Sequence, residues 1–244
     1  MADTLKSIPV VALVFVACHA FAAGGAVLEP ANNDITDVRS LQRGARNFMN
    51  YCAGCHSAQY VRFNVLAKDL ELTDQLMIEN LMFNAEKTFE TIQNNMSADD
   101  SARWFGRVPP DLSLMARART TDYIYNFLRG FYVDPESPTG VDNHVLPGTG
   151  MPHVLWELQG FQDAVFVEDE FGTAEFQHFE PRTTGSMSAA EFDSFVRDTV
   201  NFLEFISEPV RSTRRTLGAW VLGFLAVFLV IAALLKKEIW KDVS

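Results

Sequence analysis

Cysteine is scarce in this chain. Among 244 residues there are three, and Cys18 lies in an apolar stretch near the N-terminus. The other two, Cys52 and Cys55, are separated by only two residues. No thiols remain for structural bridges, so the core, with whatever group the chain binds, must hold the fold. A closed zinc site is disfavoured for the same reason, because it needs more good ligands than the chain offers at that pair. Positive charge is also in deficit, with 20 Lys and Arg against 31 Asp and Glu and a formal net charge of −11. This argues against nucleic acid as a partner, since phosphate binding needs a basic surface. The acidity keeps the domain soluble or suits a basic protein partner. No acid–base or nucleophile constellation stands out, so the chain carries no catalytic machinery of that kind.

What is present centres on Tyr51-Cys52-Ala53-Gly54-Cys55-His56. Cys-x-x-Cys-His is the pattern of covalent c-type haem attachment. Two thiols at this spacing can each add to one vinyl group of a porphyrin, and the histidine that follows supplies an axial nitrogen to the iron. A thioredoxin-like redox pair would have no use for His56.

The ends of the chain read as address and tether. Lys6 precedes an apolar run from Pro9 to Ala17, and Ala20-Phe21-Ala22 offers a small-residue cleavage site ahead of Ala23. Residues 1–22 are therefore expected to be a secretory signal. An uncleaved anchor and a lipidated Cys18 are the weaker options. Leu217 to Leu235 is free of charge and at helical rise spans about 28 Å, the thickness of a hydrocarbon core. Trp220 and Trp240 lie near its two interfaces. The expected division is an exported haem domain over 23–210, a transmembrane anchor over 211–237 and a cytoplasmic tail over 238–244, with the signal setting the orientation.

Between these ends the pattern is mainly α. Leu41, Ala45, Phe48 and Cys52 fall on one face of a helix from Asn33 to Tyr51, capped by Asp34 or Thr36. Further helices are expected over Thr73–Phe83, from Ser97 to Gly106, over Leu112–Arg119 behind Asp111, and over Asp122–Phe131 behind Thr121. Val133 to Pro152 reads as a Pro/Gly-rich loop. Val165-Phe166-Val167 and Phe176–Phe179 read as a small hairpin. Ser188 and Glu191 form a capping box ahead of a long helix.

A second axial ligand would make the haem an electron carrier, and a methionine sulfur opposite histidine raises the reduction potential. Met77, Met82 and Met115 lie on helices, where packing explains them, and Met187 precedes one. Met151 stands apart in Gly148-Thr149-Gly150-Met151-Pro152, where glycines permit close approach and packing gives a methionine no other reason. It is the favoured ligand. His144, His153 and His178 are the rivals, and Arg117 or Arg119 is suited to a haem propionate.

Taken together, Cys52–Ser57, Trp104-Phe105-Gly106, Pro109-Pro110-Asp111-Leu112-Ser113, Ala116-Arg117-Ala118-Arg119, Asp122-Tyr123 and Met151-Pro152 occur in an order that resembles the cytochrome c1 family of the cytochrome bc1 complex. Met151 to Gly160 is similar to its bacterial branch. The resemblance implies a class I c-type cytochrome-like haem domain with insertions plus one C-terminal transmembrane helix. It implies one covalent haem c on Cys52 and Cys55, His56 and Met151 as iron ligands, Arg119 near a propionate and Pro110 beside the haem. It further implies cytochrome b, the Rieske iron–sulfur protein and a soluble or membrane-bound cytochrome c as partners, within a dimeric complex of the bacterial inner membrane whose haem domain faces the periplasm. The family's acidic surface receives basic cytochromes, and Glu168-Asp169-Glu170 is one candidate run. A monohaem subunit of a terminal oxidase and an open-site haem enzyme or gas sensor are the alternatives.

Overall fold

The structure, a computed structural model, describes residues 28–168 and 174–242. The expected signal segment and Cys18 lie outside the described residues, as do Asp169 and Glu170 of the acidic run.

The frame is a pair of helices far apart in sequence. Helix α1 (Val38–Tyr51) is N-capped by Asp37, whose carboxylate accepts from the Arg39 and Ser40 amides. The expected caps do not serve, because Asp34 is taken up by Thr36, which donates to it through both amide (2.9 Å) and hydroxyl (2.7 Å). The apolar face is the one expected: Leu41, Ala45 and Phe48 are buried. They pack on α8 (Ala189–Ser207), which begins at the Ser188/Glu191 capping box. The two backbones touch at Gly44, where a β-carbon would lie 2.1 Å from the Asp198 carbonyl oxygen. The Phe48 and Phe202 rings meet at 5.6 Å. A polar seam fixes the register: Arg43 donates to both Asp198 oxygens at 2.5 and 2.8 Å, and Ser40 donates to the same carboxylate at 2.7 Å. Fully burying each such apolar side chain contributes about 1.5–3 kcal/mol.

The intervening chain wraps this frame with short elements. They are β1 (Ala58–Arg62), α2 (Phe63–Asp69), α3 (Asp74–Asn80), β2 (Thr91–Ile92), α4 (Ala98–Phe105), α5 (Met115–Arg119), α6 (Thr121–Arg129), β3 (Phe131–Val133), β4 (Val141–Asn143), α7 (Trp156–Gln159), β5 (Gln162–Glu168) and β6 (Ala174–Pro181). The strands form three antiparallel two-stranded ribbons, β1–β2, β3–β4 and β5–β6. Ser97 caps α4 and Gly106 ends it in the left-handed region, as the sequence suggests. Helix α6 is shorter than expected and starts from Thr120, not Thr121. Thr120 takes φ +73°, an uncommon value for a β-branched residue, and turns α5 into α6. The expected loop from Val133 contains the β3–β4 hairpin, in which Tyr132 faces Asp142.

Helix α8 ends at Ser207, and α9 (Arg211–Ile239) begins after Pro209. Glu208 accepts from Arg214 at 2.5 Å, and Glu204 pairs with Arg211, so two ion pairs bridge the break. Among the described residues, α9 is the one helix long and apolar enough to cross a membrane, with a mean hydropathy of 2.6 over its central window and no buried residue there.

Candidate haem site

The attachment motif is the C-terminal end of α1. The Cys52 and Ala53 amides both donate to the Phe48 carbonyl, and the Cys55 and His56 amides donate to the Cys52 carbonyl at 3.1 and 2.9 Å. The chain therefore keeps coiling past the helix end and brings both thiols and the imidazole onto consecutive turns. Gly54 is open, with nothing within 4 Å of where its β-carbon would be.

The Pro109–Ser113 block holds this turn from the other side. Successive prolines keep Pro109 extended. The Pro110 carbonyl lies 2.7 Å from His56 Nδ1. A carbonyl only accepts, so Nδ1 carries the proton and the Nε2 lone pair is left for a metal. Asp111 does not cap a helix as expected. Its carboxylate accepts from the Gln59 and Ser113 amides at 2.9 Å each, and the Leu112 amide donates to the Ser57 carbonyl at 2.8 Å. Asn94 adds a third strap: its side chain donates to the Cys55 carbonyl and its backbone amide donates to Ser57 Oγ at 2.9 Å. Burial lowers the His56 pKa, against the opposing pull of the Pro110 carbonyl and Asp111, which favours the neutral ligand form.

Neither Cys52 nor Cys55 is in a disulfide. Burial first, and then the neighbouring Cys55, pushes the Cys52 thiol up to about 12, and burial also raises Cys55. Before attachment, these surroundings favour the neutral thiols. Among the described residues no three His, Cys, Asp or Glu side chains gather as a chelating group. An iron at His56 would need its equatorial ligands from a macrocycle, and a porphyrin anchored at Cys52 and Cys55 fits that donor set.

Met151 lies on the segment that leaves the β3–β4 hairpin. It is half-buried and packs against the core, so the expectation of an exposed loop with no packing role for it is corrected. Gly150 is obligatory for this course: a β-carbon there would lie 2.5 Å from the Phe105 carbonyl oxygen. Downstream, His153 is buried, stacked flat on Phe131 at 5.1 Å and edge-on to Phe161 at 6.1 Å. Its Nε2 is 3.4 Å from the Gly160 carbonyl, and its Nδ1 has no partner among the described residues. Held in this stack, His153 serves the loop's packing.

The other candidates separate. Met77 and Met82 are buried in the core, and Met115 and Met187 pack against it. His144 leans on Phe176 at 3.9 Å, and His178 is exposed beside Glu180. Arg117 and Arg119 are both exposed; the Arg119 guanidinium rests 5.5 Å over the Tyr123 ring. Met96 was not among the sequence candidates. It lines a cleft of about 220 Å³ with Ser57, Pro109 and Asp111, next to the segment that engages His56 Nδ1. Another cleft, about 1130 Å³, is lined by the β5–β6 hairpin and the start of α8; it includes the rival candidates His144, His178 and Met187 but none of Cys52, Cys55, His56, Pro110, Arg119 and Met151.

The Cytochrome C1 family model matches residues 32–243, nearly the whole described chain. The chain belongs to the cytochrome c1 family. It is 46% identical over 222 residues to cytochrome c1 of Allochromatium vinosum, covering 90% of this chain and 91% of that one. It is 40% identical over 216 residues to the ammonia monooxygenase gamma subunit of Nitrosomonas europaea, covering 88% of each. Mitochondrial cytochrome c1 of Neurospora crassa is 26% identical over 229 residues, covering 84% of this chain and 62% of that protein. Membership makes this a redox subunit of the quinol–cytochrome c reductase type, carrying one covalently bound haem c.

Proposed function

We propose that this chain is the membrane-anchored monohaem subunit that takes electrons from a Rieske iron–sulfur protein and hands them to a soluble or membrane-bound cytochrome c. Bound haem supplies a one-electron iron couple. Cys52 and Cys55 would hold it by thioether bonds, and His56 Nε2 and the Met151 sulfur would be its iron ligands. Pro110 orients His56 through its carbonyl and would lie beside the haem. Arg119 would serve a propionate with its guanidinium. The observation that carries this reading is the 2.7 Å contact between His56 Nδ1 and the Pro110 carbonyl, which ties the attachment motif to the family's most specific block and leaves Nε2 free.

The domain boundaries follow: a signal over 1–22, a periplasmic haem domain over 23–210, an anchor over 211–237 and a cytoplasmic tail over 238–244. The anchor keeps the haem at the membrane face of the bacterial inner membrane, within reach of a donor seated on cytochrome b in a dimeric complex. The test is purification of the native chain from membranes. Recovery with cytochrome b and a Rieske protein, and quinol-dependent haem reduction blocked by removing the Rieske protein, are expected. The 40% identity to a protein named as an ammonia monooxygenase subunit supplies a second reading, in which the same carrier serves another membrane enzyme. Recovery with an oxygenase or a terminal oxidase, and without cytochrome b, would favour that reading and overturn the first.

A further inference from the structure

The segment that ends in Met151 has no helix or strand of its own. From His144 to Pro152 it runs as turns and extended chain, yet Met151 packs on the core and Thr149 is buried. Two neighbouring side chains of β4 bind its amides. Asn143 is fully buried; its side chain donates to the Phe127 carbonyl at 2.7 Å and accepts from the Val145 and Leu146 amides at 2.9 and 3.2 Å. Asp142 turns to the later half. Its Oδ1 accepts from the Asn143 amide at 2.7 Å, the Gly148 amide at 2.8 Å and the Thr149 amide at 3.3 Å. Thr149 Oγ1 then accepts from the Met151 amide at 3.4 Å. Gly148 sits at φ +73°, which lets the chain curl back over the carboxylate.

A carboxylate with several amide donors is a charge-assisted anchor, roughly twice as strong per bond as a neutral one. It grips the loop two and three residues before Met151. The far side of the loop is fixed by the contact of Gly150 with the Phe105 carbonyl. The β4 strand is itself held by β3, where Tyr132 stands opposite Asp142.

We infer that Asp142 is a positioning residue for the Met151 thioether, acting through Gly148 and Thr149 to hold the sulfur where an axial ligand is needed. The inference rests on the assignment of Met151 as that ligand. Asp142 touches neither iron nor porphyrin in this role. It limits the freedom of the loop, so that sulfur is present at the iron in nearly every molecule.

The experiment uses the full-length, membrane-anchored holoprotein and compares Asp142→Ala, Asp142→Asn and Met151→Leu. Covalent haem is measured on denaturing gels. The methionine-sulfur-to-iron charge-transfer band is read in the oxidised protein, and carbon monoxide binding in the reduced protein. Met151→Leu loses the band and binds carbon monoxide. Asp142→Ala keeps covalent haem but weakens the band and raises the carbon monoxide-accessible fraction by about tenfold, 1.4 kcal/mol at that conversion. Asp142→Asn, whose amide oxygen still accepts, stays near wild type. If Asp142→Ala keeps the full band and refuses carbon monoxide while Met151→Leu does not, Asp142 has no positioning role. If Met151→Leu keeps the band, the ligand assignment itself fails. Should Asp142→Ala not accumulate, the next link decides: Thr149→Val weakens the band and Thr149→Ser preserves it, and equal spectra in the two overturn the inference.

Discussion

The two sides of the proposed iron are built differently. The His56 side is a helix end continued by one tight turn and stitched to a rigid proline block, with partners 39 to 54 residues away but few in number. The Met151 side is a loop whose shape depends on a hairpin, a buried asparagine, one carboxylate and a glycine pressed on a carbonyl. The contrast teaches where each function resides. The proposed attachment turn is a short motif strapped by long-range contacts from the proline block and Asn94, whereas the Met151 segment is held mainly by bonds from Asp142, Asn143 and Thr149 within a few residues of it, plus the close approach of Gly150 to Phe105. The first should survive damage that removes the second.

The largest expected effect tests the secure side. His56→Ala removes the proximal nitrogen, so quinol-dependent reduction of an acceptor cytochrome should be abolished while the thioether bonds at Cys52 and Cys55 persist; turnover at wild-type rate would show that another residue ligates. Next comes the fragile side. Gly150→Ala places a methyl carbon 2.5 Å from the Phe105 carbonyl oxygen. Something in the backbone must shift, and overpacking of this kind costs about 1–3 kcal/mol. Haem should stay covalently bound while the sulfur–iron band weakens and the potential falls. An unchanged spectrum would mean that the loop tolerates movement without consequence to its ligand.

A smaller effect is expected from Asn94→Ala, which removes the side-chain strap to the Cys55 carbonyl. A typical net hydrogen bond is worth about 1 kcal/mol. Thermal stability should drop modestly, with the potential hardly altered, because Pro110 still orients His56. A large fall in potential would mean that the two sides are not separable in this way. The smallest effect lies outside both. The Ser188 hydroxyl and amide hold the Glu191 carboxyl below its usual range. A lowered folded pKa gives stability that is present above the ordinary glutamate value and is lost as pH falls through the folded one. Unfolding measured below about pH 4.5 should therefore show a slight acid loss that Glu191→Gln abolishes, with the haem spectrum the same in both.

The same contrast accounts for what could be read from the sequence. The turn at Cys52–His56, the face of α1, the Ser97 and Ser188 caps, Gly106 as a stop and the long apolar helix α9 were all legible, because each depends on a pattern local in sequence. The β5–β6 hairpin was visible as two aromatic and β-branched patches, although its register was not. The cap of α1 was misplaced because Asp34 and Thr36 satisfy each other and leave Asp37 to serve the helix. Asp111 looked like a helix cap because its side chain does bind amides, but those of β1 and its own turn. The β3–β4 hairpin was missed since two strands of three residues, one just before Pro135 and one between Gly140 and Pro147, leave no period to detect. That hairpin carries Asp142 and Asn143, so missing it also hid the support for Met151. The reason for choosing Met151 as the proposed ligand proved incomplete: it packs on the core as well as lying in a Gly/Pro loop.

The most direct test of the central claim is a redox titration of the full-length protein and of Met151→Leu, each with its oxidised spectrum. With His56 and Met151 as the axial pair, the wild type should show one haem with a sulfur–iron band. The variant should keep its covalent haem, lose the band and fall in midpoint potential by a sizeable share of the ~0.8 V over which axial ligands set haem potentials. An unchanged potential and band in Met151→Leu would contradict the account.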